Sequence, residues 1–480
     1  MLKRFIRFLL LSTILSGACT GKPSINPPSS TRTPATEAAT VSPIPDVVIT
    51  QAFPNRPTPT ETQIVSSTFL PTGTPLALLK SGQILDLTSL QMTHEKNGWA
   101  IASTGHIVHT EDGGYTWQDV TPPTEVHQLY SEAGFFALDA NSAWATPDEF
   151  VNCYMRKCGK ESIATALIWR TNDGGKDWQP SQPIPSNIDT AGAALSVKNY
   201  LPIRMQFIDS QTGWLMIDGI IRTEDNKRKT SGTILFRTTD GGENWAVMNA
   251  HYRDFNFPPG YSPDVPAIRG FAFTDSQTGW VVGQSDLSGM REVPVEDIIS
   301  KGALMLKKTM DGGRSFVDVP FLFPVDLGQL EYKGLTMSCG VHQILPLAPS
   351  NITLEWTCAI HTNPSTSYYL FSVSDHGGQT WHHWHSPWNE FFLNRQEGWR
   401  LLCVYVGGLC GLESTADGGL TWTAIKKVYW EIWQLDFINS KAGWAIVFLN
   451  DASGTKSLVH TTDGGETWVE IKPKVANKSD

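Results

Sequence analysis

An eight-residue phrase built around Asp-Gly-Gly occurs seven times in this chain, and it limits the possible folds more than any other feature. The phrase is most regular in its last copy, whose letters are TTDGGETW. The copies are Thr110–Trp117, Thr171–Trp178, Thr238–Trp245, Thr309–Phe316, Ser374–Trp381, Thr415–Trp422 and Thr461–Trp468. Their final residues lie 41 to 71 residues apart, which is the length of one small supersecondary unit with loops of different lengths. The chain is therefore predicted to be a repeat protein.

The phrase has the chemistry of a tight turn between two strands. Asp-Gly and Gly-Gly adopt positive φ at little cost, and a short carboxylate accepts hydrogen bonds from nearby backbone N–H groups. We therefore interpret the turn aspartates as structural: Asp112, Asp173, Asp240, Asp311, Asp417 and Asp463. Seven near-copies cannot all be active sites, which disfavours a catalytic role. His376 replaces the aspartate of the fifth turn, so we expect other hydrogen bonds there, and Phe316 replaces the tryptophan of the fourth.

A second recurring element precedes every turn, a tryptophan that usually follows glycine and is followed by apolar residues. Its members are Trp99, Trp144, Trp214, Trp280, Trp356, Trp399 and Trp444. A shorter strand lies upstream, as in Met205–Asp209, and one strand lies on each side of the Asp-Gly-Gly turn. Each repeat therefore predicts four antiparallel strands.

Seven such units predict an all-β fold, a seven-bladed β-propeller of four-stranded antiparallel blades over residues 79–475. A linear solenoid also repeats, but it needs polar caps on its terminal repeats, and both end repeats here are ordinary copies. Gln83–Leu87 precedes the first inner strand. It is a candidate edge strand that would close the ring on the last blade.

The first 78 residues have a different composition from the repeats. Lys3, Arg4 and Arg7 precede an apolar run, and small residues then lead to Cys19, so residues 1–19 are predicted to be an export signal. Their end resembles a bacterial lipoprotein signal, in which the cysteine, here Cys19, becomes the lipidated first residue; the alternative is an ordinary signal peptide. Residues 20–78 are rich in Pro, Thr and Ser and are predicted to form a disordered stalk. We expect an exported protein that is lipid-anchored to the bacterial cell envelope, at the outer face of a membrane or in the periplasm.

The remaining six cysteines favour disulfides, because they are even in number and lie in a chain predicted to be exported. They fall into three local couples, and we expect nearest neighbours to pair: Cys153 with Cys158, Cys339 with Cys358, and Cys403 with Cys410. Cys403 and Cys410 flank a predicted hairpin between the second and third strands of blade 6. Zinc ligation would require closer CxxC spacings, which are absent.

Composition excludes two classes of function. The chain carries 37 basic and 47 acidic residues, a net charge of −10, and 40% hydrophobic residues. It is therefore not a disordered chain, and it offers no broad basic field for nucleic acid. We expect no nucleic-acid partner and no cofactor.

The combination of strand tryptophans and Asp-Gly-Gly turns resembles the Asp-box, or BNR-repeat, propellers. The order of motifs is most similar to that of the photosystem II stability/assembly factor family of exported bacterial propellers, with Phe-x-Asp first, then Thr-Gly-Trp, then Thr-x-Asp-Gly-Gly-x-Thr-Trp. The resemblance covers essentially everything after the stalk. That resemblance implies a non-catalytic scaffold that binds a membrane-protein subunit through a patch including arginines. The arginines of this chain are scattered, however. Asp-box propellers also include sialidases, xyloglucanase-type glycoside hydrolases and sorting receptors.

The two faces of the predicted ring differ in loop length. The Asp-Gly-Gly turns are short and share one face, whereas the loops between the second and third strands are longest in blades 2, 3 and 4 and emerge on the other. Loops lengthened together on one rim favour a recognition surface. We select six aromatic and basic residues there as a candidate binding face: Arg222, Arg228, Tyr252, Arg253, Phe255 and Tyr261. For each of them a solvated loop residue without a ligand is the alternative.

A histidine cluster lies directly after the fifth turn. His383 and His385 share one face of a strand, a spacing that can hold zinc or copper together with a further ligand. Histidines beside tryptophans are more often packed or surface groups, and no third ligand is evident nearby. We therefore predict no metal site.

The function favoured by these patterns is a membrane-tethered, non-catalytic binding or assembly scaffold for a protein partner, or for a glycan, at the extracytoplasmic surface. The alternative is a glycoside hydrolase, sialidase-like or xyloglucanase-like, acting on extracellular glycans. A sialidase usually shows an Arg-Ile-Pro signature, and Pro202–Arg204 has those letters reversed. A glycosidase needs two carboxyl groups about 5–5.5 Å or 6.5–9.5 Å apart, which chain spacing cannot reveal. We assign no catalytic residue.

Overall fold

The fold is known from a computed structural model of the chain. The described residues are 78–123, 130–146, 167–184, 187–190, 193–223, 229–252, 267–284, 293–294, 304–319, 336–348, 351–360, 366–386, 390–403, 409–449 and 456–476. The chain divides into two units, Met1–Thr68 and Phe69–Asp480. All described residues belong to the second unit. The predicted signal peptide, Cys19 and nearly all of the stalk lie outside them.

The described chain forms seven antiparallel sheets, which confirms the predicted seven-bladed, all-β propeller. Blade 1 contains β1 (Leu87–Met92), β2 (Gly98–Ala102), β3 (Ile107–Thr110) and β4 (Thr116–Asp119). Blade 2 contains β5 (Phe135–Ala137), β6 (Ala143–Ala145), β7 (Trp169–Thr171) and β8 (Gln179–Pro180), preceded by a 3-10 turn at Glu132–Gly134.

Blades 3 and 5 each have five strands, and blade 4 between them has four. Blade 3 contains β9 (Asn187–Thr190), β10 (Ala193–Phe207), β11 (Gly213–Thr223), β12 (Lys229–Thr238) and β13 (Ala246–Tyr252). Blade 4 contains β14 (Ala267–Phe273), β15 (Gly279–Gln284), β17 (Leu304–Thr309) and β18 (Val317–Asp318). Blade 5 contains β16 (Val293–Pro294), β19 (Thr336–Ala348), β20 (Asn351–Ile360), β21 (Thr366–Ser374) and β22 (His382–Ser386).

The last two blades return to four strands. Blade 6 contains β23 (Glu390–Phe392), β24 (Gly398–Cys403), β25 (Cys410–Thr415) and β26 (Thr423–Val428). Blade 7 contains β27 (Trp430–Phe437), β28 (Gly443–Leu449), β29 (Lys456–Thr461) and β30 (Val469–Ile471), and the terminal strand β31 (Lys474–Val475) follows. We call the contact between neighbouring blades a seam and name it by its two blades.

Ring closure at seam 7/1 differs from the prediction. The segment at Gln83–Leu87 does not extend the sheet of blade 7; the backbone of Gly82 and Gln83 instead pairs with Val475, at N···O distances of 2.9 and 2.8 Å. β31 itself joins the outer strand of blade 1, β4, in the parallel direction. Each end blade therefore keeps four strands of its own, and the segments at residues 82–85 and 473–475 pair with each other beside them.

The core lies between the blades, where apolar side chains of one sheet pack on the next. The strand tryptophans dominate it: Trp144 stacks on Phe207 at 3.6 Å between ring centroids, and Trp214 stacks on Phe273 at 3.8 Å. Burial of these large rings supplies most of the attraction between blades. The tryptophan repeat therefore specifies the seams.

Trp356 is an exception to the predicted tryptophan pattern. Ile352 pairs with Ser374, the first residue of the fifth turn, just as Gly213 pairs with Thr238 in blade 3. Thr353 therefore occupies the position of Trp214, and Trp356 lies three residues further along β20. The assignment of Trp356 to the repeated position was wrong because its Glu-Trp context matched the others only in having a tryptophan.

Two cysteine couples lie opposite each other in neighbouring strands. Cys339 faces Cys358 across β19 and β20, and Cys403 faces Cys410 across β24 and β25. Directly opposed residues of an antiparallel pair have Cα atoms within the range that a disulfide spans. The bonds themselves stay a prediction, and Cys153 and Cys158 lie outside the described residues.

No helix among the described residues is both long enough and apolar enough to cross a membrane.

Candidate functional site

One face of the ring is formed by the Asp-Gly-Gly turns, and we call it the box face. In the third turn the Asp240 Oδ1 atom accepts hydrogen bonds from the Thr238 hydroxyl at 2.8 Å and from the Asn244 N–H at 3.0 Å. The Thr238 hydroxyl oxygen also accepts the Gly242 N–H at 2.8 Å. Both glycines of the turn have positive φ, 71° and 90°, where a side chain would be strained. The carboxylate therefore holds the turn together.

The box carboxylates are acidic because their neighbours stabilise the charged form. The hydroxyl and N–H of Thr421 hold the pKa of Asp417 at about 2, and Thr467 does the same for Asp463. A group that is ionised and fully hydrogen-bonded at neutral pH is a poor general acid or base. The structural interpretation of these aspartates agrees with their geometry.

The fifth turn keeps its shape without an aspartate. The Ser374 hydroxyl oxygen accepts the N–H groups of His376 and Gly378, at 3.3 and 2.8 Å. The His376 ring Nδ1 lies 3.0 Å from the Thr380 hydroxyl. Other hydrogen bonds thus hold this turn, as expected from the substitution.

The opposite face, which we call the insertion face, is built up unevenly. In blade 3 the strands β10, β11 and β12 have 15, 11 and 10 residues, and in blade 5 β19, β20 and β21 have 13, 10 and 9. The corresponding strands of blade 1 have 4 to 6. The insertion of blade 3 therefore continues its sheet above the ring. Blade 5 has a similar extension, which loop counting had assigned only to blades 2, 3 and 4.

The predicted binding residues are only partly placed. Arg222 lies near the end of β11, opposite Lys229 and Ser196, and Tyr252 ends β13, opposite Gly232. Both backbones belong to the extended sheet of blade 3, on the insertion face. Arg228, Arg253, Phe255 and Tyr261 lie outside the described residues.

A ring of bulges surrounds the insertion-face end of the propeller axis, which we call the axial mouth. Each of five inner strands skips one residue in its pairing with the second strand, at the same height in the blade. The skipped residues are Thr88, Ile203, Arg269, His342 and Trp433. Bulges re-aim side chains and are common beside functional sites. Sequence analysis did not find this ring, because a bulge has no composition of its own.

Trp433 is a half-exposed aromatic residue at the axial mouth. It is 50% exposed, and its indole N–H donates to the Thr88 carbonyl of the next blade at 2.9 Å. The Lys456 ammonium lies 4.7 Å from the ring centroid, and Asp86 lies 3.8 Å from that ammonium. The ring is therefore held in place while much of its surface faces solvent. Trp433 is one of six tryptophans outside the two repeated positions once Trp356 is excluded from them, and this is the signal that could have identified it.

A second feature of the mouth is a charged pair between blades 2 and 3. The Arg204 guanidinium donates through Nη1 to the Ile344 carbonyl of blade 5 at 3.0 Å. Gly270 of blade 4 also lies beside Ile344, since an added Cβ there would be 3.3 Å from the Ile344 side chain. Burial raises the pKa of Glu132, and the Arg204 charge opposes that shift. Arg204 thus joins the inner strands of blades 3 and 5.

The described residues contain no group of three or more His, Cys, Asp or Glu side chains that could hold a metal ion. His383 instead hydrogen-bonds through Nδ1 with the Ser372 hydroxyl at 2.9 Å, and burial lowers its pKa. His383 and His385 do lie on one face of β22, opposite Ser372 and Leu370.

The seven sheets define the class of fold, and several solved structures resemble it at low sequence identity. No family model matches the chain, and no curated protein matches it. Among solved structures, YCF48 bound to D1 peptide has 14% identity and a TM-score of 0.42, over 80% of this chain and 95% of that one. YCF48 from Cyanidioschyzon merolae has 12% identity and a TM-score of 0.39, over 81% of this chain and 98% of that one. A polysaccharide lyase, the PL25 ulvan lyase, has 11% identity and a TM-score of 0.37, over 81% of this chain and 86% of that one. The likeness concerns the fold alone: this chain is a seven-bladed β-propeller.

Proposed function

We propose that the propeller is a non-catalytic binding or assembly scaffold for a protein partner, tethered to the membrane on its extracytoplasmic side. The observation that carries this proposal is the difference between the two faces. On the box face the turns are uniform and their carboxylates are occupied by hydrogen bonds within each turn. On the insertion face two blades extend their sheets, and the axial mouth presents a fixed, half-exposed tryptophan.

The residue types at the mouth are those that dominate protein interfaces. Tryptophan, tyrosine and arginine are enriched among binding hot spots. Trp433 is 50% and Tyr429 is 73% exposed, and Arg269 is exposed at the bulge of β14. A side chain that is already ordered loses little conformational entropy when a partner covers it. The fixed indole of Trp433 therefore supports this face as the recognition surface, as the resemblance to photosystem II assembly factors also does.

A photo-crosslinking amino acid at Tyr429 is expected to capture a discrete protein in the native envelope, because this position lies beside the proposed surface. Tyr115 is the matched control, since it is 50% exposed but belongs to a box-face turn. Mass spectrometry of the adduct identifies the partner. Adding Trp433→Ala should lower the crosslink yield roughly tenfold, as expected for loss of an aromatic hot spot. Equal capture from Tyr115, or capture unaffected by Trp433→Ala, would place recognition elsewhere.

Asp240→Ala separates folding from recognition. It removes the acceptor of three hydrogen bonds, from the Thr238 hydroxyl and from the backbone N–H and side-chain amide of Asn244, and should cost about 1–3 kcal/mol in the free energy of unfolding. Crosslinking from Tyr429 should be unchanged for the fraction that remains folded. A folded Asp240→Ala variant that no longer crosslinks would assign recognition to the box face.

Cys19→Ser tests the tether. If Cys19 is lipidated, the variant should be released from membranes as a soluble protein, because the apolar run before it is too short for a permanent span. Fractionation in high salt and carbonate measures the release. A variant that stays wholly in the membrane fraction would rule out lipidation at this residue.

The second proposed function is glycan cleavage, and the raised pKa of Glu132 at the axial mouth is the observation that favours it. A carboxyl group with a raised pKa suits a general acid. Glycosidases require a second carboxyl group near the first. The charged group that influences the pKa of Glu132 is instead a guanidinium, that of Arg204, which lowers it. Turnover of aryl-glycoside or sialoside substrates that Glu132→Gln abolishes would make this chain an enzyme.

A further inference from the structure

The seams of the ring are fastened by a repeated hydrogen bond that blade 5 lacks on both sides. At seam 3/4 the Trp214 indole N–H donates to the Gly312 carbonyl of the next box turn, at 3.1 Å. The same bond joins Trp144 to Gly241, Trp399 to Gly464 and Trp444 to Gly113, at 2.8 to 2.9 Å. We call these four side chains, with Trp280, the latch tryptophans. Seam 1/2 uses a variant, in which Trp99 donates to the Asp139 carbonyl at 2.9 Å.

At seam 4/5 the latch is open. Trp280 is fully buried, yet its Nε1 has no hydrogen-bond partner among the described residues. The Lys308 ammonium lies 5.2 Å from the centroid of its ring, so the ring has the same type of cation neighbour that Arg237 provides for Trp214, at 5.3 Å. What is missing is the acceptor, and the turn that would supply it is the one in which His376 replaces aspartate.

At seam 5/6 there is no latch side chain. Thr353 stands where the other blades have tryptophan, and it has no indole to reach blade 6. On the facing side of blade 6, Glu390, Arg400 and Glu413 are paired strand to strand. The equivalent row of residues is apolar in blades 1, 2, 3 and 7. Arg400 lies 3.5 Å from Glu390 and 2.8 Å from Glu413. A buried charge cluster of this kind contributes little net stability compared with apolar packing.

Blade 5 is instead attached at its insertion-face end. β16, from the insertion of blade 4, pairs with the start of β19. The bond from Arg204 of blade 3 to the Ile344 carbonyl lies further toward the box face, where Ile344 pairs with Leu354. Toward the box face, blade 6 contacts blade 5 through an ion pair between Arg395 and Asp375, at 2.9 Å, with Arg395 61% exposed. The rings of Phe371 and Phe392 also meet edge to face across this seam, at 6.3 Å between centroids. An exposed ion pair contributes little to the free energy of unfolding.

We infer that blade 5 is the movable blade of the ring: its box-face end separates from blades 4 and 6 while the rest of the ring stays closed, and its insertion-face end acts as the hinge. Local opening occurs where buried contacts and hydrogen bonds are fewest. The extended sheet of blade 5 forms part of the insertion face, so this motion would move one wall of the proposed recognition surface. The inference does not depend on that proposed function.

Hydrogen–deuterium exchange of the full chain without any partner tests the inference directly. Backbone amides of residues 352–356 and 371–378 in blade 5 should exchange roughly tenfold faster than residues 213–217 and 235–242, which occupy the same positions of blade 3. Equal protection of the two blades would overturn the inference. The proposed function would survive that result, since it concerns only the surface contacted by a partner.

Two matched substitutions test the latch as the cause. Trp214→Phe keeps most of the ring but loses the indole N–H, so exchange at seam 3/4 should rise roughly tenfold and approach that of blade 5. Trp280→Phe removes an N–H that has no acceptor, so exchange at seam 4/5 should stay the same or become slower. If Trp280→Phe loosens its seam as much as Trp214→Phe does, the latch of seam 4/5 is closed in solution and the inference is wrong.

Discussion

Replacing Asp436 by asparagine is expected to stabilise the propeller at pH 8 and to remove most of a loss of stability between about pH 4 and 7. Asp436 is buried in seam 7/1, and burial raises its pKa to about 7 although the Met92 N–H opposes the shift by donating to Oδ2 at 2.5 Å. An acid with a raised folded-state pKa binds its proton more tightly in the folded chain. Its contribution to stability is therefore largest below about pH 4 and declines as pH rises through 7.

Neighbouring seams explain why a neutral side chain suits this position. Gln91 and Gln206 occupy the equivalent place in blades 1 and 3, and the amide of each bonds both the N–H and the carbonyl of one residue in the next blade. A protonated Asp436 can imitate that amide, because it accepts from the Met92 N–H and keeps an O–H to donate. An ionised Asp436 has only acceptors. Asparagine supplies both functions at every pH.

The expected gain for Asp436→Asn at pH 8 is up to about 4 kcal/mol, the linkage value for a pKa that moves from 3.8 to about 7. Urea unfolding at a series of pH values measures it. Asp463→Asn is the control of opposite sign, since hydrogen bonds from Thr467 hold the pKa of Asp463 at about 2. It should lower stability at neutral pH and lose that effect below about pH 2. A wild-type protein with stability independent of pH between 4 and 8 would contradict the assignment.

Trp214→Ala is expected to have the largest cost of any single substitution considered, about 3–5 kcal/mol in the free energy of unfolding. Trp214 is fully buried and stacks on Phe273 at 3.8 Å with the ring planes 5° apart. Its N–H also donates to the Gly312 carbonyl at 3.1 Å. Truncation opens a cavity between blades 3 and 4 and leaves that carbonyl without its partner, so packing and hydrogen bonding are lost together.

Trp433→Ala is the control for Trp214→Ala, because it removes the same side chain from a position that is 50% exposed. Its cost should stay near 1 kcal/mol, the scale of one lost hydrogen bond. Denaturant midpoints with unchanged m-values compare the two variants. If Trp214→Ala costs no more than Trp433→Ala, the strand tryptophans do not hold the seams.

The Asp-Gly-Gly turns are the part of the structure that sequence reasoning predicted best. Asp-Gly and Gly-Gly have strong backbone preferences over a few consecutive residues, and the aspartate bonds with groups at most four residues away, as Asp240 does with Asn244. Strand register marks the limit of what could be predicted from local sequence. The pairing of Cys403 with Cys410 was predictable because the two strands that carry them follow each other in the chain. The position of Trp356 depended on the register of β20 against β21, which a single matching tryptophan does not determine.

The candidate site was harder to predict because its residues come from distant parts of the chain. The lengthening of the insertion face was readable from loop lengths, and Arg222 and Tyr252 do belong to the extended sheet of blade 3. The residues of the axial mouth could not be predicted from any sequence pattern. Trp433 is held by a carbonyl 345 residues away, and Arg204 reaches one 140 residues away. Neither residue stands in a repeated motif.

The sequence by itself determined the number of blades, the four-strand unit and the chemistry of the turns, because each depends on residues close together in the chain and is repeated seven times. Only the tertiary structure decided which seams are fastened, which side chains surround the axis and how the ring closes. These features depend on the height at which neighbouring sheets meet. A hydrogen bond such as that of the Trp444 indole to the Gly113 carbonyl forms only when two blades 331 residues apart in sequence are already in contact.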